Sequence, residues 1–264
     1  MKILHNGNGA LVTNLALPAF GELKSNGWLL GDGIFESLKT INGQCWAQTR
    51  HLDRAYKSGA IINLGLPDRD QVERGIRTIL EASKKITVGR LRITFLSSGD
   101  WIITHKELVP FKNRLTLVDY PFPKNEKSIL AGIKTISYGE NAHALRFAEA
   151  SGFDDVVISN LAGLVSESAV SNIVWESSGK FYTPPLSTGC LPGVTRSLLL
   201  QYFGVIERDT TPSQLQESEA IYLVSSTREI QQVNRYNATE YSLSSSGVEL
   251  IGKFAEWVRG NLEP

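Results

Sequence analysis

Apolar positions recur along this chain with two periods. Between Gly89 and Ser97 they alternate, with Leu91, Ile93 and Phe95 on one face and Arg90, Arg92 and Thr94 on the other, which predicts a half-buried strand. From His51 to about Leu64 the period is helical, with Leu52, Ala55 and Ile62 on one side and Gly65 as the stop. A second helix is expected from about Asp68 to Ser83, its stripe formed by Val72, Ile76, Ile79 and Leu80. Asn6-Gly7 and Asn42-Gly43 are hairpin signals, so residues 1–50 predict a β-meander. Within it, Leu29 to Leu38 reads as a glycine turn running into an alternating strand. A strand from Arg114 to Val118 closes this half, which is α+β, with helices against a mostly antiparallel sheet.

Proline and charge then interrupt the pattern over Asp119–Lys127. The expected organisation is a small domain (1–118), a linker (119–127) and a larger domain (128–264). The second half opens with a strand over Ala131–Tyr138 and continues with a helix over Glu140–Ser151 and a strand over Asp155–Ser159. A hairpin follows around Ser177-Ser178-Gly179, from Asn172–Trp175 to Lys180–Thr183. A helix from Ser197 to Phe203, a strand from Ala220 to Val224 and a last helix from about Val248 to Val258 complete it. No repeat or low-complexity segment interrupts the chain.

Composition narrows the function classes. The chain has 264 residues, long enough to bury a substantial core, and its 27 basic residues balance 27 acidic ones. No basic patch or acidic run stands out, which argues against nucleic acid and anionic membrane as partners. Two cysteines are too few for a disulfide framework, no apolar run approaches the roughly 20 residues of a membrane span, and the chain opens without a charged-then-apolar leader. A soluble cytoplasmic protein is expected. The four histidines are scattered without metal-ligand spacing, so no metal is expected. There is no Gly-x-Ser-x-Gly elbow, and Gly31-x-Gly33 lacks both the third glycine and the following helix of a dinucleotide fingerprint.

The chemistry centres on Lys134, set among apolar neighbours in Ala131–Tyr138, where a lysine is costly unless paired, neutralised or used. Farther on, Glu167 stands alone between a turn and a short strand. An amine that forms a Schiff base and a carboxylate that holds a pyridinium proton suit pyridoxal phosphate (PLP). The plain alternative is a snorkelling strand lysine and a solvated loop glutamate. Gly193-Val194-Thr195 precedes a helix, and its N–H groups and threonine hydroxyl suit a phosphate. Ser225-Ser226-Thr227 offers more hydroxyls, and Arg54 a bidentate clamp. Taken singly, each is also an ordinary cap, strand end or helix arginine.

Together these residues resemble the class IV (fold type IV) PLP-dependent aminotransferases, a group that includes D-amino-acid and branched-chain aminotransferases, (R)-amine transaminases and aminodeoxychorismate lyases. The resemblance runs from about Gly31 to Val233. It rests on Gly-Asp-Gly-x-Phe-Glu at 31–36, His-Leu-Asp-Arg at 51–54, the Lys134 segment, Glu167…Ser171-Asn172, Thr183-Pro184-Pro185, Leu191-x-Gly-Val-Thr-Arg and Ser225-Ser226-Thr227. It implies a small α+β domain and a larger pseudo-barrel domain, with the cofactor between the domains of a homodimer. Lys134 would be the Schiff-base lysine and proton shuttle, and Glu167 the partner of the pyridine nitrogen. Arg54, the Val194 and Thr195 backbone, the Thr195 hydroxyl, Ser226 and Thr227 would hold the phosphate. Tyr138 is left without a role.

For the substrate, the Arg-x-His carboxylate trap of bacillus-type D-amino-acid aminotransferases is missing, because Ser97-Ser98-Gly99-Asp100-Trp101 stands in its place. Branched-chain enzymes are usually longer at the N-terminus, and the compact length resembles aminodeoxychorismate lyases and short bacterial transaminases. Arg228 is the first candidate to grip a substrate carboxylate, since a guanidinium matches it with a planar fork, and Arg92 the second. Phe35 is expected to line the pocket. The expected reaction is amino-group transfer to an α-keto acid from an amino acid or amine, with a D- or (R)-configured donor preferred on resemblance. The runner-up is aminodeoxychorismate lyase, which releases pyruvate and 4-aminobenzoate. A PLP-fold binding module is a third reading, against which the retention of Lys134 and Glu167 speaks.

Overall fold

A computed structural model describes residues Lys2–Asn6, Gly9–Thr13 and Asn26–Pro264. By its contacts the chain divides into two compact units, and the division is not the one expected at 119–127. Unit 1 comprises Met1–Pro110, Ile133–Tyr138 and Asn261–Pro264, and unit 2 comprises Phe111–Gly132 and Gly139–Gly260.

Unit 1 contains β1 (Lys2–Asn6), β2 (Gly9–Thr13), α1 (Asn26–Leu30), β3 (Gly33–Ile41), β4 (Gln44–Cys45), α2 (Gln48–Ile61), α3 (Arg69–Ala82), β5 (Val88–Leu96) and β6 (Trp101–Glu107). Its six-stranded sheet has the order β1-β2-β6-β5-β3-β4, and each neighbouring pair is antiparallel. The expected meander over residues 1–50 is therefore corrected. Both hairpins form, but β2 pairs with β6, so the β1–β2 hairpin stands at the far edge from β3–β4. The Asn6-Gly7 turn falls partly outside the described residues. Asn42 and Gly43 both have positive φ, as a two-residue hairpin turn on right-twisted strands requires.

The period-two pattern of β5 buries Leu91, Ile93 and Phe95 against the helical stripes Leu52, Ala55, Val72, Ile76 and Ile79. Asp68 caps α3 by accepting from the Asp70 N–H, which fixes that helix start at the expected position. Helix α2 ends at Ile61 rather than near Leu64, because Asn63 turns left-handed (φ 54°) before Gly65 is reached. Trp101–Glu107, for which the sequence pattern predicts no element, is the strand β6.

Unit 2 contains β7 (Thr116–Asp119), α4 (Gly139–Ala150), β8 (Asp155–Ser159), β9 (Val165–Glu167), β10 (Asn172–Ser177), β11 (Lys180–Thr183), α5 (Val194–Tyr202), β12 (Ile206–Glu207), α6 (Pro212–Gln216), β13 (Ala220–Ser225), β14 (Glu229–Gln232), β15 (Arg235–Tyr236), β16 (Thr239–Glu240) and α7 (Ser245–Gly260). Two five-stranded sheets, β12-β11-β10-β13-β14 and β16-β15-β7-β8-β9, share one core. In it Leu117, Val157 and Val165 of one sheet meet Trp175, Ile221 and Leu223 of the other. The strand expected to close the first half, β7, lies here because it pairs in parallel with β8 and β15. Among the described residues no helix is long and apolar enough to cross a membrane.

Candidate active site

The Lys134 segment is not a regular strand. It runs extended beside β3, with an isolated bridge between Thr135 and Ile34. The Phe35 N–H donates to Lys134 O at 2.8 Å, and the Ile136 N–H to Gly33 O at 3.0 Å. These bonds seat the lysine in unit 1, half-buried. Its Nζ lies 4.4 Å from the centroid of the Phe35 ring. The Arg92 guanidinium lies 3.6 Å from that same centroid, and Tyr138 meets the ring edge-on at 5.4 Å. Alternation along β3 and β5 produces this grouping, because Phe35 is directly opposite Thr94 and Ser37 opposite Arg92. Phe35 is buried, so its ring is a fixed platform for two cations.

The next residue of β3 builds a second cluster. Glu36 accepts from Arg54 Nε at 2.8 Å and from Arg54 Nη2 at 2.6 Å, a bidentate pair. It also bonds His51 Nδ1 at 2.7 Å. Helical spacing puts His51 and Arg54 on one face of α2, turned toward β3. Burial opposes ionisation of Glu36, yet Arg54 and His51 more than offset it and hold the carboxyl down at about 2. An ionised carboxylate only accepts, so His51 must carry its proton on Nδ1. Burial lowers the pKa of His51, partly countered by Glu36, and the charges of Arg54 and Lys134 lower it further.

Unit 2 gathers the remaining motifs at one end of β10 and β13. Asn172, the first residue of β10, is opposite Val224, so Ser225, Ser226 and Thr227 emerge beside it. Asn172 Nδ2 donates to Leu191 O at 2.9 Å, and the Leu191 N–H donates to Glu167 Oε2 at 2.9 Å. These two bonds tie the Glu167…Asn172 segment to the start of α5. Gly193 is required there, since a Cβ would stand 2.0 Å from Asn172 Oδ1. Asp155 accepts from the Ala169 N–H at 3.0 Å and the Ser168 hydroxyl at 3.1 Å, fixing the loop after Glu167. Arg196 donates to Pro184 O at 2.7 Å, so part of the proline and Leu191-x-Gly-Val-Thr-Arg motifs serves as a structural latch.

A phosphate fits this end of α5. The helix has no side-chain cap, so its first N–H groups are orphan donors. Thr195 Oγ1 is buried and has no hydrogen-bond partner among the described residues. A buried hydroxyl without a partner costs free energy unless a ligand completes it. Arg228 is engaged elsewhere. Its guanidinium donates to Gln231 Oε1 and stacks 4.3 Å from the Phe111 ring.

Sequence reasoning missed Glu36 and His51 as the partners of Arg54. It also missed Lys124, which donates to Glu167 Oε1. The first pair stood in view inside two quoted motifs, and only the β3–α2 packing joins them. Lys124 carried no signal beyond its place in the expected linker.

Residues 33–236 match the family model for amino-transferase class IV. The chain is 24% identical over 254 residues to D-alanine aminotransferase of Bacillus licheniformis, covering 87% of this chain and 86% of that protein. It is 22% identical over 262 residues to aminodeoxychorismate lyase of Vibrio harveyi, covering 88% of this chain and 92% of that protein. A solved fold IV-transaminase from Curtobacterium pusillum superposes with a TM-score of 0.82 at 24% identity, covering 95% and 98% of the two chains. The two-domain α+β architecture is thus that of fold type IV. With its family model spanning both the Lys134 and the Glu167 motifs, the chain belongs to the class IV aminotransferases, enzymes that use pyridoxal 5′-phosphate.

Proposed function

We propose that this chain is a transaminase that moves an amino group from a D- or (R)-configured amino donor to an α-keto acid. The observation that carries the reading is the grouping of Lys134 and Arg92 on the Phe35 ring, an amine and a fixed cation in one small cluster. The likeness to D-alanine aminotransferase supports the choice of donor. When bound, pyridoxal phosphate supplies an aldehyde for amines and a ring that takes up the electron pair of a broken Cα–H bond. Lys134 would bind the aldehyde carbon through Nζ, and once displaced by the donor its amine would take the Cα proton and return it at the cofactor's C4′.

Glu167 would hold the ring nitrogen, and Arg54, the Val194 and Thr195 N–H groups, the Thr195 hydroxyl, Ser226 and Thr227 the phosphate. Phe35 would line the pocket. For the substrate carboxylate we place Arg92 ahead of Arg228, whose Nη1 already donates to Gln231 and whose guanidinium stacks on Phe111. The second reading, release of pyruvate and 4-aminobenzoate from aminodeoxychorismate, is supported by the likeness to the Vibrio harveyi lyase. We further propose a homodimer in the cytoplasm, in line with the resemblance.

The test is a half-reaction. PLP-loaded protein is mixed with D-alanine, L-glutamate, L-leucine or an (R)-amine and no keto acid. Loss of the visible cofactor band with growth of the near-ultraviolet pyridoxamine band and stoichiometric keto product is expected for D-alanine or the (R)-amine. Bleaching by an L-donor alone would overturn the stereochemical assignment. No bleaching by any donor, with pyruvate released from aminodeoxychorismate, would put the lyase first.

A further inference from the structure

The carboxylate at the end of β9 is not a lone anion. Glu167 is buried, with one oxygen bonded to Lys124 Nζ and the other to the Leu191 N–H at 2.9 Å. Lys124 is not a swinging surface lysine. Its N–H donates to Ser159 O at 2.8 Å, its carbonyl accepts from the Leu161 N–H at 3.1 Å, and it bridges in parallel to Asn160. The backbone is therefore pinned to the end of β8, and the side chain points at the carboxylate along the wall of a cleft of about 400 Å³. Tyr120, Phe122, Asn141 and His143 complete much of that wall. Within unit 2 the ammonium and the carboxylate form a pair of zero net charge.

A third group at Glu167 would feel a dipole instead of a full negative charge. Opposite charges in contact cancel much of each other's field a few ångströms away. A cation there disfavours a further proton on any neighbouring base, just as a carboxylate alone would favour it. We propose that Lys124 is a positioning residue that shares the Glu167 carboxylate and thereby weakens the hold of this site on a proton at the cofactor's ring nitrogen. The proposal rests on the reading that Glu167 is the partner of that nitrogen.

The experiment uses holoprotein loaded with PLP labelled with ¹⁵N in the ring, and follows the nitrogen chemical shift against pH. The wild type is compared with Lys124→Gln, Lys124→Arg and Glu167→Gln. With Lys124→Gln the ring nitrogen should keep its proton to a pH higher by on the order of one unit. Lys124→Arg, which keeps the charge, should titrate like the wild type, whereas Glu167→Gln should lose the proton earlier. Lys124→Met, uncharged and close in length, replaces the glutamine variant if that one does not fold. An unshifted Lys124→Gln beside a shifted Glu167→Gln overturns the role of Lys124 and leaves that of Glu167 standing. An unshifted Glu167→Gln overturns the underlying reading itself. A wild-type nitrogen that holds its proton up to the alkaline limit of folding also overturns the proposal.

Discussion

Glu36 concentrates the electrostatics of unit 1 in one buried carboxylate paired with Arg54 and His51. Its carboxylate is nearly inaccessible, and the side chain of Arg54 is only 11% exposed. Glu36→Gln removes the charge but not the volume, leaving a largely buried guanidinium without its counter-ion. Such broken pairs cost about 3 kcal/mol or more, and urea unfolding near neutral pH should show a loss of that order. The folded-state pKa is depressed from 4.5 to about 2, so the contribution is full above about pH 4.5 and is lost as pH falls toward about 2. The gap between wild type and variant should narrow over that window. At Lys134, substitution by alanine should abolish turnover and the borohydride-reducible adduct, while PLP still binds through its phosphate contacts. Normal turnover in that variant would sink the assignment.

At the scale of elements, the start of α2 is held by residues more than 200 positions away in sequence. Ala47 stands at its cap with φ 55° and offers no side-chain acceptor. Glu263 takes the place of the cap, accepting from the Gln48 N–H at 2.8 Å and the Thr49 N–H at 3.1 Å. Glu263→Ala should cost about 1 kcal/mol, the usual value of a lost N-cap, read as a lowered urea midpoint. The helix so anchored carries His51 and Arg54. At α5, Gly193→Ala would force Asn172 or the helix start to move. A loss of about 1–3 kcal/mol and weaker PLP binding are expected, measured by thermal melts with and without cofactor.

Elements that encode themselves locally were legible in the sequence. The stripe and Asp68 cap of α3, the alternation of β5 and the Asn42-Gly43 turn each need only neighbours within a few residues. The composition of the Lys134 segment suits a full strand, yet no strand forms there. It makes a single bridge because it borders β3, about 100 residues earlier in the chain, only over a few residues. The Glu36–Arg54 and Lys124–Glu167 pairs were illegible for the same reason: tertiary packing, and not spacing, brings them together.

At the scale of the whole molecule, stability should respond to pH through buried histidines. His105 of β6 is buried in unit 1, between the hydroxyls of Thr40 and Ser83. Ser83 donates its hydroxyl to Ile79 O, so it must accept from His105 Nδ1, at 2.6 Å, and Nε2 shares a 2.8 Å hydrogen bond with the Thr40 hydroxyl. Burial lowers the pKa of the ring below the ordinary 6.5, as it does for His51, so near neutral pH the ring is neutral and Nε2 accepts from the Thr40 hydroxyl. Below about pH 6.5 the unfolded chain binds protons that the folded one does not, so stability falls as pH is lowered through that value. Melting temperatures at about pH 7.5 and about pH 5.5 should differ in that sense, and His105→Gln should reduce the difference.

The way the chain is threaded through its two units sets an order of events during synthesis. Unit 1 is complete only with Ile133–Tyr138 and Asn261–Pro264 in place. A nascent chain that has reached Pro110 has the six strands but neither the lysine-bearing segment nor the clasp on α2. The piece that brings Lys134 arrives after the first part of unit 2 has been made, and the clasp arrives after the rest. A polypeptide cut off at Pro110 therefore cannot reproduce the Lys134 cluster in isolation, because translation delivers that lysine only once the chain has passed through the first part of unit 2.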